Sequence, residues 1–576
     1  MGILGKALVG LMLVVLVAVC GTVLVCSEGR AQAPGGAQGG AAAKAGKEKE
    51  ETCRVSGIVL KLADGTPLKN ATVRLDNEED HEHTIAARTG ADGRFELRNV
   101  PAARYKLRVS RNGYVAAEYG QVKPSDPGAV FALAPGENKK DVTFKLIPAA
   151  VIMGRVFDED GEAVPHAVVI ASREVYNEGH RTLATRGYAE TDDLGAYRLF
   201  GLAPGRFYVS AVQGDFVEGT GDREFTGGSG EKGERGYTKT YYPGTPDLGR
   251  ASVIVVKEGE EIPGADIPLK QVAVYRIRGK VFNAVTHKGA IDSYLQLVSR
   301  TNRLEWGFGG GEQVRKSDGS FEITKVVPGS YLLLAYWSDQ EKTYSTQERI
   351  DIGENDVEGL SLVIGAGATI SGRVRWEGKP SLEREELQIA IRPADLPLNW
   401  ASSARVVSDQ QFTLKDVGDG DFNVIVSGYT KDCYVKDVEY GGTHSAEEKI
   451  SVGKGGGAQL LVTISSRGAR VQGAVTDKDG LPATGVWVVA VPDEARRTNF
   501  KLFKSHTTDQ YGKFDLRGLA PGSYQIFSWT GIESNEWEDA DFLKPFEDKG
   551  ETVELHDEDV KTVNLKVIEK KSVGTE

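Results

Sequence analysis

Residues whose types and spacing could do chemistry are sparse in this 576-residue chain. His444 and Glu447, in HSAE, have the H-x-x-E spacing of a zinc-ligand pair. Zinc chemistry needs three ligands held rigidly around an open position, and this pair sits in a Gly-rich loop with no α/β unit to hold it. His81 and His83, in NEEDHEHT, alternate as they would on a strand edge, but no third ligand is evident. Asp158, Asp160 and Gly161 (DEDG), and Asp477, Asp479 and Gly480 (DKDG), open like calcium loops. The later ligands of such a loop, and the Glu that closes it, are missing; a hairpin turn explains Asp and Gly equally well. There is no G-x-S-x-G elbow and no phosphate-binding loop. The stretches GTGDREFTGGSGEKGERG and VGKGGGAQ lack the strand-to-helix setting of phosphate loops and read as surface loops. No catalytic residue, metal site or cofactor is therefore expected.

The aromatics offer a different chemistry. Exposed Trp and Tyr bind sugars because a flat apolar ring covers a sugar's C–H face while its polar edge stays wet. Trp306, Trp337, Trp529, Trp537, Tyr241 and Tyr242 fall in or just beyond expected loops and are the candidate carbohydrate-binding residues. Packing between neighbouring domains is the competing use of the same rings. Trp376 and Trp487 sit in expected strands and read as core.

The elements that must position these residues are written five times. DGRFELRNVPAARY recurs as DLGAYRLFGLAPGRF, DGSFEITKVVPGSY, DQQFTLKDVGDGDF and DQYGKFDLRGLAPGSY. The aromatic pairs Phe95/Tyr105, Tyr197/Phe207, Phe321/Tyr331, Phe412/Phe422 and Phe514/Tyr524 all stand ten residues apart, the regularity of a rigid hairpin. A Gly-x-Val precedes each phrase, starting at Gly57, Gly154, Gly279, Gly372 and Gly473. Successive starts lie 93 to 125 residues apart, too long for a solenoid unit and right for whole domains. Within a repeat, segments such as RVSGIVLKL, ATVRLD and RYKLRVS alternate apolar and polar residues between Asp-Gly and Pro-Gly turns. That pattern means an antiparallel sandwich. Junctions such as FKLIPAAVIMGRVFDEDG are short, which predicts a stiff, extended rod of domains.

GRVFDEDGEAVPHAVVIAS, TDDLGAYRLFGLAPGRFYVSA, AVTDKDGLPATGVWVVAV and TTDQYGKFDLRGLAPGSYQIFSW resemble the carboxypeptidase regulatory-like domain. The resemblance implies a transthyretin-like, seven-stranded, immunoglobulin-like sandwich related to the Cna B-type and carbohydrate-binding-like folds. It is strongest in the first, second and fifth repeats and weakest in the fourth. It implies the regulatory appendage and not the peptidase, whose zinc domain is a separate α/β unit. Cna B-type relatives join Lys to Asn by an internal bond; Lys280 and Asn564 are suitable types but fall in different repeats.

The fold class expected is all-β: about five tandem sandwiches after an N-terminal hydrophobic helix. Residues 1–33 read as signal peptide or membrane anchor, because Lys6 precedes an uncharged run from Ala7 to Cys26 and Ala31-Gln32-Ala33 offers a cleavage site. Residues 34–52 read as a flexible linker. The sandwiches are expected at 53–148, 149–271, 272–366, 367–466 and 467–570, with a tail at 571–576. Only Cys53 and Cys433 lie beyond the leader, too few for a disulfide framework. A net charge of −12 argues against nucleic-acid binding. The reading is an exported, non-enzymatic scaffold that binds at the cell envelope, secreted or held by its N-terminal helix. Its partner is a glycan or another extracellular protein. The alternatives are a carbohydrate-binding array at the cell surface and an accessory subunit of a secreted peptidase.

Overall fold

The computed structural model describes residues 52–78, 84–121, 123–124, 126–213, 235–300, 311–338, 343–365, 367–382, 386–394, 402–445, 447–453 and 456–570. These residues form an all-β protein in which each repeat builds two facing sheets around its own apolar cluster. Among them, no helix is long and apolar enough to cross a membrane. The apolar run Ala7–Cys26 lies outside the described residues.

One wiring serves all five repeats. The opening strand carries the Gly-x-Val: Cys53–Lys61, Ala150–Phe157, Tyr275–Asn283, Ala368–Glu377 or Ala469–Thr476. It pairs antiparallel with the strand that begins the repeated phrase, and parallel with a late strand. The facing sheet is centred on an antiparallel pair, such as Thr72–Asn77 with Arg104–Ser110 or Trp487–Pro492 with Gly522–Thr530. Alternation along these strands sends every second side chain inward. In Arg104–Ser110, Tyr105, Leu107 and Val109 are buried while Lys106 and Ser110 stay exposed.

The glycines that open each repeat face its first aromatic. Gly57 lies opposite Phe95, Gly279 opposite Phe321, Gly372 opposite Phe412 and Gly473 opposite Phe514. Gly154 likewise lies opposite Tyr197. The space above the glycine is already occupied. A Cβ on Gly473 would come within 1.7 Å of the Val563 carbonyl oxygen, and one on Gly372 within 2.1 Å of the Phe412 ring. An aromatic laid over a strand glycine covers backbone that has no side chain of its own.

The two aromatics of each phrase do not share a hairpin. Phe95 belongs to the sheet of Cys53–Lys61, whereas Tyr105 belongs to the facing sheet and pairs with Asn77 and Phe131. The phrase is therefore a corner that carries the chain from one sheet to the other. Its device is a left-handed residue four positions after the first aromatic: Asn99, Gly201, Lys325, Asp416 and Gly518 all have φ between 55° and 77°. This residue breaks the strand's register and turns it across the core. In the first and third repeats the second aromatic secures the corner. Tyr105 donates its hydroxyl proton to the Pro101 carbonyl at 2.8 Å, and Tyr331 donates to Val327 at 2.9 Å.

The expected rod, in which a sandwich touches only its sequence neighbours, is not what forms. The fifth sandwich packs on the first, the second and the fourth. The Gln510 side-chain amide brackets Ala132 of the first sandwich, donating to its carbonyl at 2.9 Å and accepting from its N–H at 3.2 Å. Against the second, Arg173 donates to Glu533 at 3.1 Å and the Gly179 N–H to Glu538 at 3.3 Å. Against the fourth, Lys501 donates to Glu448, and Tyr434 donates to Asp557 at 3.3 Å. Short junctions constrain only adjacent repeats; side chains far apart in sequence supply the remaining contacts.

Candidate functional site

Five of the six candidate sugar-binding rings lie among the described residues, and these five do not form an exposed platform. Trp529 and Trp537 are 0% and 2% exposed. They belong to a second apolar cluster of the fifth sandwich, on the outer face of the sheet formed by Trp487–Pro492 and Gly522–Thr530. The sequence explains it: in WVVAVP, Val488 faces the inner core while Val489 and Val491 face outward. An apolar outer face has to be covered, and residues 532–546 cover it with Ile532, Trp537, Leu543 and the rings of Phe542 and Phe546. Trp529 stacks on Phe527 at 4.6 Å, and Trp487 meets Trp537 edge-on at 5.0 Å. Reading Trp529 and Trp537 as loop aromatics with an open face is therefore corrected. Tyr241 is also buried, and Tyr242 packs against the second core. Trp337 is a half-buried strand residue 5.4 Å from Tyr344. Trp306 lies outside the described residues, as do His81 and His83.

A different set of residues converges where the first and fifth sandwiches meet. A cavity of about 420 Å³ is lined by Glu78, Lys106, Glu118 and Asp126 on one side and by Trp487 and His506 on the other. Each element arrives for a local reason. Lys106 stands on the outward face of Arg104–Ser110. Asp126 ends a turn, accepting the Lys123 N–H at 3.1 Å and, across the junction, the Gly531 N–H at 3.2 Å. His506 lies in the short strand Lys504–Thr507, opposite Val488. Burial pushes the Asp126 carboxyl above its ordinary range, against the pull of its two N–H partners and Lys123.

His506 is the unusual member. Its Nδ1 is buried without a hydrogen-bond partner among the described residues, as is the Trp487 indole nitrogen. Burial pushes its pKa down. Glu78 and Asp515 draw it back up, while Arg104 and Lys431 oppose them. These charges come from the first, fourth and fifth sandwiches, so one imidazole senses the meeting of three domains. No spacing or motif in KSHT singles out His506; its significance comes only from what packs on it.

A second cluster lies on the fourth sandwich. Strands Tyr434–Tyr440 and Thr443–Ser445 are joined by Gly441 and Gly442, with φ of 59° and 83°. Two consecutive left-handed residues make the tight turn that matches strand twist. Glu439 is directly opposite His444, and Asp437 is two residues along the same face. His444 Nδ1 is 2.8 Å from Asp437 Oδ2. One ligand atom from each of the three lies within 4.8 Å of the others. His444 and Glu447 of the H-x-x-E spacing are not paired with each other: Glu447 pairs with Lys449 at 2.6 Å. Asp437, followed by Glu439, raises the His444 pKa.

The DxDG carboxylates are occupied by their own turns. Asp158 Oδ1 accepts the Asp160 and Glu162 N–H groups at 3.0 and 2.9 Å. Asp477 Oδ1 does the same with Asp479 and Leu481, both at 2.9 Å. Lys280 pairs with Asp318 at 3.0 Å.

Residues 54–146 match the family profile described as "Carboxypeptidase regulatory-like domain". The first sandwich is similar to the carboxypeptidase regulatory-like domain. The match takes in this sandwich's opening glycine, its corner and the strand Val130–Ala132 that meets the fifth sandwich. No curated protein matches the chain. Among solved structures, the Bacillus anthracis TIE protein is similar at 11% identity over 72% of this chain and 68% of its own, with a TM-score of 0.14. A minor pilin of Streptococcus agalactiae is similar at 14% identity over 38% of this chain and 97% of its own, with a TM-score of 0.22. The major pilin subunit of Bacillus cereus is similar at 10% identity over 54% of this chain and 99% of its own, with a TM-score of 0.13.

Proposed function

We propose that this chain is an exported, non-enzymatic scaffold of the cell envelope, which binds a partner through a surface composed by several sandwiches. The observation that carries this reading is the Gln510–Ala132 contact, with the Asp126–Gly531 bond beside it. These bonds join sandwiches that are distant in sequence, so loops from different repeats share one surface. Loops held by a rigid sheet scaffold are where binding residues concentrate. The uncharged run Ala7–Cys26 and the Ala31-Gln32-Ala33 site support export, and two cysteines beyond the leader are compatible with ordinary apolar cores.

The partner proposed is another extracellular protein. Burial of Trp529 and Trp537 weakens a glycan reading that depends on those rings. Fractionating expressing cells and weighing the mature chain tests export: an envelope-associated chain is expected, and a full-length cytoplasmic one contradicts it. Binding is tested with the purified ectodomain on a glycan array and on immobilised envelope proteins. Saturable protein binding, reduced by Gln510→Ala, is expected. Sugar binding unaffected by that change, or chelator-sensitive peptidase activity of the pure chain, contradicts the reading.

A further inference from the structure

We propose that the hairpin face formed by Asp437, Glu439 and His444 is a binding site for a first-row divalent cation of the zinc type. Two residues at i and i+2 of a strand, with a third opposite on its neighbour, all point to one side of a sheet. Here the turn at Gly441 and Gly442 fixes the register, so Glu439 and His444 face each other and Asp437 completes the triangle. One imidazole nitrogen and two carboxylate oxygens form the mixed donor set that zinc and its neighbours accept.

The spacing suits the ion. Ligand bonds of about 2.0–2.2 Å in tetrahedral geometry put donor atoms roughly 3.4 Å apart. The 2.8 Å His444–Asp437 contact and the 4.8 Å outer limit of the cluster bracket that value.

The charge also suits it. Glu439 forms no ion pair among the described residues, while His444 pairs with Asp437. Arg373 and Arg375 stand two strands away in register, opposite Leu461 and Thr463. Two carboxylates beside one imidazole give the face a local negative charge that favours a divalent cation. The three groups leave positions open on the solvent side, so the bound ion would keep water or accept a donor from a partner.

The test uses the untagged mature chain and Zn2+ as probe, followed by calorimetry near neutral pH. His444→Ala should remove one binding event from the wild-type isotherm. Glu439→Gln should weaken that event by about tenfold or more, the scale on which a lost ligand or orienting group acts. His556→Ala is the control: His556 is another exposed imidazole beside an acid, 3.3 Å from Asp559, and its loss should leave the event unchanged. Lowering the pH below the His444 pKa should weaken binding, because a proton competes for the same nitrogen. All three positions are on the outer face, so matching thermal melts should show that the variants fold. Isotherms of wild type and His444→Ala that coincide up to about 1 mM Zn2+ would overturn the proposal. So would a wild-type affinity retained in Glu439→Gln, which would reduce the site to a single His–Asp pair.

Discussion

Gln510 and Ala132 form a two-bond bracket across 378 residues of sequence. The side-chain amide imitates the next strand of a sheet, satisfying the N–H and C=O that the edge strand Val130–Ala132 would otherwise present to water or to another chain. Gln510→Ala should remove both bonds, at about 0.5–1.5 kcal/mol each. Hydrogen exchange at the Ala132 amide is the readout, with faster exchange in the variant and no change at the Leu107 amide of the neighbouring strand.

The glycines of the opening strands are fixed by the aromatics they face. Gly473→Ala should destabilise the fifth sandwich by roughly 2–3 kcal/mol, because the new methyl would overlap the Val563 carbonyl. Phe514→Ala should cost about 3–5 kcal/mol through the cavity it leaves. Urea unfolding followed by the fluorescence of the buried Trp529 and Trp537 measures both. Hydrogen exchange within the third sandwich should be unchanged.

The insertion at residues 532–546 both covers an apolar sheet face and carries acids towards the second sandwich. Arg173 pairs with Glu533 while lying 5.6 Å above the Phe207 ring. The pair is partly buried and contributes about 1 kcal/mol. Arg173→Glu should open this contact by placing like charges together, and exchange of the amides between Glu533 and Asp539 should rise. Adding Glu533→Arg should restore protection; failure of that rescue would assign the effect to lost packing on Phe207.

Acid should loosen the junction of the first, fourth and fifth sandwiches. The folded-state pKa of His506 is depressed below its ordinary value of 6.5, chiefly by burial. Its neutral form is favoured on folding, so its contribution is complete above the unfolded value and is lost as pH falls through that value. Asp126 works the other way: its folded pKa is raised above 3.8 by burial, so its contribution is present below that value and fades as pH rises. The His506 window opens at about 6.5 and runs downward, and the Asp126 window opens at about 3.8 and runs upward. His506→Gln should therefore flatten the fall in stability as pH drops below about 6.5. A profile identical to wild type would show that the junction does not sense this imidazole.

Period-two alternation and repeated turns made the sandwiches legible, because a sheet with one buried face imprints that pattern on its sequence. The glycine and aromatic of each repeat were visible as spacings, although their direct opposition was not. The corner was misread as a hairpin because Asn99, Lys325 and Asp416 adopt left-handed backbone without being glycine. Trp529 and Trp537 were misread because sequence shows a short polar stretch beside them, not the sheet face it covers. His444 was visible as a ligand type, but its partners lie upstream on the facing strand, not three residues on. The junction around His506 left no local mark, since it is made by residues whose only relation is contact.

The most direct test of the central claim asks whether the first and fifth sandwiches touch. Lys139 lies 5.7 Å above the ring of Tyr511. With Lys139→Cys and Tyr511→Cys in one chain, a short bismaleimide linker at high dilution should join the two positions within a molecule, while Lys139→Cys with Lys280→Cys should remain unlinked. The native Cys53 and Cys433 are buried and should not compete. Equal, background-level linking in both double variants would contradict the gathering of the sandwiches around the fifth and restore the linear string.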